Sequence, residues 1–217
     1  MKHFFYDFAG YNVILFNKIN NIFGRDESYV LTFADQLGFY RSFPIVLSLL
    51  LIYCYFSIIT AKVNKKLYEK TALHWANTLA TLAASLFVML CIISFIKGFC
   101  AYKRPFCHED VQNIKIFKSA LISAECNRSF PSGHTAYICT ILFSIWPVLN
   151  YLSKGIGIFL AVSVALSRIA SGVHFPADVF WSALLSLVVV ISIHKIIKFY
   201  ITGKYSKRVL QFARSIF

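Results

Sequence analysis

Charge is scarce in this chain. Only 14% of its 217 residues are Asp, Glu, Lys or Arg, against about 25% in an ordinary soluble domain. Acids are scarcer still, nine against 22 basic residues, for a net charge of +13. No stretch is rich in proline, glycine or serine, so neither a flexible linker nor a second module is indicated. No internal repeat is present, which excludes a solenoid. No basic stripe with interleaved aromatics sits on a soluble segment, so the charge does not point to nucleic acid. The first residues also lack the form of a cleavable signal, because Asp7 and Asn12 break the apolar core and no small-residue cleavage site follows.

What is abundant is apolar. Hydrophobic residues make up 58% of the chain, and they gather into runs long enough to cross a bilayer. Five stand out at 42–61, 72–96, 135–153, 155–173 and 179–193. Residues 4–23 are aromatic-rich but broken by polar groups, which suits a helix lying in the interface; a sixth, weaker span is the alternative. Tyr29 to Leu37 reads as a second short amphipathic helix. The expectation is an all-α polytopic bundle in one domain over 1–217. Interfacial helices occupy 1–41, the transmembrane core 42–199, and a basic cytoplasmic tail 200–217.

The lysines orient that bundle. Lys62, Lys65, Lys66 and Lys70 join the first two spans, Lys154 joins the third and fourth, and Lys195 and Lys198 follow the fifth. Such loops belong on the cytoplasmic side. Six cysteines divide into two groups. Cys54, Cys91 and Cys139 lie in apolar runs, where a thiol acts as a small hydrophobe. Cys100, Cys107 and Cys126 share one loop. If that loop faces an oxidising compartment, Cys107 and Cys126 can pair; free thiols throughout are the alternative.

Three polar clusters remain, each where an apolar run begins or ends on the face opposite those lysines. They are Lys97 with Arg104-Pro105, Pro131-Ser132-Gly133-His134, and Ser167-Arg168 with His174 and Asp178. Fixed cations around one point suit a phosphate ester, whose equatorial oxygens gain charge at the transition state. Lys97 and Arg104 are seven apart and share a face if the helix persists to Pro105. Arg168 offers a planar fork of donors. Ser132 and Gly133, opening a helix, offer backbone N–H groups. His174 and Asp178 are four apart, so their side chains meet on a helix and the carboxylate can orient the imidazole. His174 is then a candidate nucleophile and His134 a candidate acid. Singly, each residue has an ordinary role as a snorkelling cation, a helix cap or a surface pair; their common face and spacing argue otherwise.

The three clusters together resemble the tripartite signature of the type 2 phosphatidic acid phosphatase superfamily, which also includes vanadium haloperoxidases and glucose-6-phosphatase. The resemblance covers residues 97–178. It implies that Lys97, Arg104, Ser132, Gly133 and Arg168 bind phosphate, that His174 attacks phosphorus, that Asp178 orients it, and that His134 serves as acid. It implies no metal and no cofactor. The expected substrate is a lipid phosphate or diphosphate, such as undecaprenyl diphosphate, phosphatidylglycerol phosphate, phosphatidic acid or a lipid A phosphate. The expected setting is a bacterial inner membrane, with the site on the periplasmic side. A phosphotransferase, a haloperoxidase and a non-enzymatic transporter stay open as alternatives, as does the oligomeric state.

Overall fold

A computed structural model describes residues 6–24, 29–109, 111, 113–117 and 125–203, the last three by backbone alone. The basic segment at 204–217 lies outside the described residues. Those described form seven α-helices: α1 (Tyr11–Phe23), α2 (Tyr29–Gly38), α3 (Phe43–Ala61), α4 (Lys65–Cys100), α5 (Gly133–Ile145), α6 (Tyr151–Ala170) and α7 (Pro176–Gly203). Of these, α3, α4, α6 and α7 are long and apolar enough to cross a membrane.

The third expected span has different limits. In place of one helix over 135–153, α5 has 13 residues and gives way to a 3-10 turn at Trp146–Val148. Pro147 has no N–H to continue an α-helix. Asn150 then opens α6 by accepting from the Ser153 N–H at 2.8 Å, so Tyr151 and Ser153 belong to the following helix. Helices α4 and α7 run longer than the expected spans 72–96 and 179–193, α3 nearly matches 42–61, and α6 ends at Ala170, before the expected 173. Asn64 caps α4 through hydrogen bonds from the N–H groups of Lys66 and Leu67, which brings Lys65 to Lys70 into the helix.

Small and hydroxylated residues let the helices come close, as is common where lipid supplies no hydrophobic drive between them. Ala136 is fully buried where α5 meets α7. Its carbonyl accepts from Ser186 Oγ of α7 at 3.1 Å and from Thr140 Oγ1 at 2.7 Å. Outward, the long helices present Phe87, Leu90, Phe159 and Val188.

Helix α1 spans about 20 Å at 1.5 Å per residue, short of the roughly 30 Å hydrocarbon core. It turns Ile14, Leu15 and Ile22 outward and buries Asn12, Phe16 and Asn20. Asn12 Oδ1 accepts the Ala177 N–H at 2.9 Å. Asn20 donates to the carbonyls of Lys115 and Ala170, both at 2.8 Å. A polar stripe thus clamps α1 to the turn between α6 and α7, where the third sequence cluster lies.

Candidate active site

All three clusters end at one level of the bundle. Each arrives there by a different local device. Lys97 stands in the last turn of α4. The helix then stops at Cys100, because Ala101 takes a left-handed φ of 46°, and Arg104 is extended before Pro105. The expected shared helical face of Lys97 and Arg104 is therefore not formed, as a residue preceding proline disfavours helical geometry. The two cations meet through the loop instead. Arg104 Nε donates to the Glu125 carbonyl at 2.8 Å and Nη1 to the Val173 carbonyl at 3.2 Å. Lys97 Nζ reaches the Arg128 carbonyl at 3.4 Å.

That loop is stapled. Cys107 and Cys126 form a disulfide, and the Cys126 carbonyl accepts the Arg104 N–H at 2.8 Å. The pairing left open by the sequence is thus made, and Cys100 remains free.

The second cluster opens α5. Ser132 is its N-cap, its hydroxyl accepting from the Thr135 N–H. Gly133 leaves open space: a Cβ there would meet nothing within 4 Å. His134, in the first turn, turns toward α2, with the Phe39 ring 5.4 Å away.

In the third cluster, the chain reverses at Gly172, whose φ of +79° suits glycine. A Cβ there would sit 2.8 Å from the Lys115 carbonyl. The reversal lets the His174 N–H donate to the Arg168 carbonyl at 3.2 Å. Pro176 then starts α7, where its missing N–H is no loss. His174 precedes the helix rather than lying in it, yet its Nδ1 is 3.3 Å from Asp178 Oδ2.

Asp178 is completely buried and densely bonded. Oδ2 accepts from Ser129 Oγ at 2.5 Å and from the Phe175 N–H at 2.8 Å. Oδ1 accepts from the Tyr6 hydroxyl at 2.7 Å. Burial, and then the Asp178 charge, push the Tyr6 phenol well above its usual pKa, so it stays a donor. The Ser132 N–H reaches the Asp178 carbonyl at 3.4 Å, joining the second and third clusters. Burial holds the His174 imidazole well below its ordinary pKa, and the positive charges of Arg104, Arg168 and Lys97 push it the same way.

Three participants had not been assigned from the sequence. Ser129 and Tyr6 bond Asp178, and Asp35 on α2 takes Arg168 Nη1. Asp35 carried a signal, being the sole acid in the amphipathic segment 29–37. Tyr6, one of many aromatics 172 residues from its partner, carried none.

Two cavities flank the cluster. One, of about 620 Å³, is apolar; Phe39, Phe43, Leu86, Leu90, Ile93 and His134 are among the residues that line it. The other, of about 710 Å³, is more polar, lined by Tyr6, Asn12, Tyr102, Lys103, His108 and Phe175. Chemically, the site offers three fixed cations, a helix N-terminus, a carboxylate-held imidazole and a second imidazole facing an apolar groove.

A family model described as the PAP2 superfamily matches residues 78–201. The crystal structure of Aquifex aeolicus LpxE superposes with a TM-score of 0.62 at 25% identity, covering 85% of this chain and 95% of that one. The "Bacitracin transport permease protein BcrC" of Bacillus licheniformis is 41% identical over 68 residues, 31% of this chain. The match spans 33%, about a third, of that relative's own length.

Proposed function

The chain belongs to the PAP2 superfamily, and we propose that it is an integral membrane phosphatase that removes a terminal phosphate from a lipid phosphate or diphosphate. One observation carries this reading: His134 stands both within the charged cluster and on the wall of an apolar groove. A phosphate among the cations would have its lipid chain beside α2, α4 and α5. Phe87 and Leu90, on the groove wall, are mostly exposed toward the bilayer.

In the proposed reaction, Lys97, Arg104, Arg168 and the N–H groups at Ser132-Gly133 hold the phosphoryl oxygens. Asp178 binds His174 Nδ1, leaving Nε2 to attack phosphorus. The P–N bond forms as the P–O bond to the lipid breaks, and His134 gives its proton to the leaving oxygen. Water then attacks the phosphohistidine, His134 takes back a proton, and inorganic phosphate leaves. The three cations supply the charge neutralisation from side chains, so activity is expected to survive EDTA. The test is phosphate release by purified protein in detergent and EDTA, across prenyl diphosphates, phosphatidylglycerol phosphate, phosphatidic acid and lipid A. Release from these with little from glycerol phosphate supports the reading. Equal turnover of both classes would remove the lipid from it.

His174 must be neutral to attack. Since its pKa is held down, the neutral form persists below the ordinary imidazole value of about 6.5. The acid limb of kcat/KM set by His174 is expected below that pH, and loss of the His134 proton sets a separate basic limb. An acid limb centred at or above it would contradict the assignment.

We place the site on the non-cytoplasmic face. The disulfide suits an oxidising compartment, and the lysine-rich α3–α4 connection lies at the opposite end of α4 from Lys97. An Asn127→Cys variant should react with an impermeant maleimide added to intact cells. Labelling only after lysis would put the site inside.

A second reading comes from the name of the Bacillus relative, which describes a transport permease. A transport path needs polar sites near the midplane, whereas here Lys97, Arg104, Arg168 and His174 gather at one end of the helices. Transport retained by a His174→Ala variant would favour it.

A further inference from the structure

Arg168 enters the site from the last turn of α6 with its guanidinium partly engaged. Nη1 donates to Asp35 Oδ1 on α2. Nε is buried and, among the described residues, has no hydrogen-bond partner. One part of the fork is thus satisfied by a carboxylate, and another is left over where an unmet donor is costly. A guanidinium in this state is set to take a second anion. The partners differ in access. The Arg168 side chain is 7% exposed and that of Asp35 is 24% exposed, so Asp35 can turn to water while Arg168 cannot.

Helix α2 also builds one wall of the apolar groove. Gly38 packs its backbone against the site: a Cβ there would lie 2.6 Å from Val164 Cγ1 and 3.0 Å from His134 Cβ. Phe39 follows and lines the groove beside His134. Asp35 is one turn earlier on the same helix. The group that holds Arg168 and the wall that a lipid chain would touch are therefore one element.

Charge decides between a permanent prop and a competitor. Lys97, Arg104 and Arg168 bring three positive charges; Asp178 and Asp35 bring two negative ones. A phosphate dianion that arrives while Asp35 keeps its place meets that carboxylate's charge beside Arg168, and is relieved of it once Asp35 withdraws. We propose that Asp35 competes with phosphate for Arg168, so that a phosphate without a lipid chain is held weakly. A lipid chain adds burial in the groove that a free anion lacks, and that added binding offsets the loss of the Asp35–Arg168 pair. The inference rests on the lipid phosphatase reading.

The experiment uses orthovanadate binding to the purified full chain, followed by titration calorimetry, beside kcat/KM for phosphatidic acid and for p-nitrophenyl phosphate. Asp35→Asn keeps the shape and removes the charge. It should bind vanadate about tenfold tighter or more, the worth of one charge-assisted hydrogen bond. Its kcat/KM should rise by a similar factor for p-nitrophenyl phosphate and for phosphatidic acid, because both must displace the same carboxylate. Asp35→Glu keeps the charge and should bind vanadate as weakly as the wild type; Asp35→Ser, read as Asp35→Asn is, serves if the amide does not fold. Vanadate bound no tighter by the uncharged variants, or both substrates slowed together, would overturn the proposal and leave Asp35 a prop for Arg168. Tighter vanadate binding in a protein that hydrolyses no lipid phosphate would sustain the role of Asp35 and remove the lipid phosphatase reading. Lipid hydrolysis with unaltered vanadate affinity would do the reverse.

Discussion

His174→Ala is expected to abolish phosphate release while leaving the bundle folded. The imidazole is buried at 2% exposure, touches Asp178 and is the only group in the cluster placed to form a covalent bond with phosphorus in the proposed reaction. Losses of about 10⁴-fold or more accompany removal of a nucleophile, with a residue left from binding and electrostatics. Asp178 keeps its bonds from Ser129, the Phe175 N–H and Tyr6 in this variant, so folding should be little affected. Phosphate release at one part in ten of the wild-type rate, from folded protein, would exclude His174 as the nucleophile.

Arg104→Lys is expected to behave almost as badly as Arg104→Ala. The guanidinium both adds charge and ties two loops, bonding the Glu125 and Val173 carbonyls from separate nitrogens. An ammonium keeps the charge but not the fork, so it cannot serve both carbonyls and an incoming oxygen with the same geometry. Removing one transition-state donor costs about 10²- to 10³-fold. Loosening the Val173 strand beside His174 adds to that. Lys97, with one long contact to a carbonyl, is expected to tolerate Lys97→Arg far better. Half or more of wild-type kcat/KM in Arg104→Lys would show that charge alone is used.

Much of this architecture was legible in the sequence, for identifiable reasons. Long apolar runs forced α3, α4, α6 and α7, and the polar clusters at their ends marked one face. His174 and Asp178 met as their spacing suggested, although His174 precedes the helix. The expectation failed where backbone chemistry overrode spacing. Ala101 and Pro105 break the register between Lys97 and Arg104, and Pro147 cuts short the helix expected to reach Ser153.

The supporting residues were hidden for another reason. Tyr6 and Asp178 lie 172 positions apart, and Arg168 and Asp35 lie 133 apart. Nothing local in a Tyr, Ser or Asp announces such a partner. In the sequence Asn12 reads only as a break in an apolar core and nothing singles out Asn20, yet both lie on the buried face of α1. In a bilayer, a polar stripe of this kind marks the side that meets protein as well as the side that meets water.

The most direct test of the account is to trap the covalent intermediate. Purified protein is mixed with ³²P-labelled phosphatidic acid in EDTA, quenched in alkali within the turnover time, digested and mapped. The account predicts label on His174 that is stable in alkali and lost in acid, together with free labelled phosphate, and neither from His174→Asn. Full phosphate release with no label on the protein, or label and release persisting in His174→Asn, would contradict it.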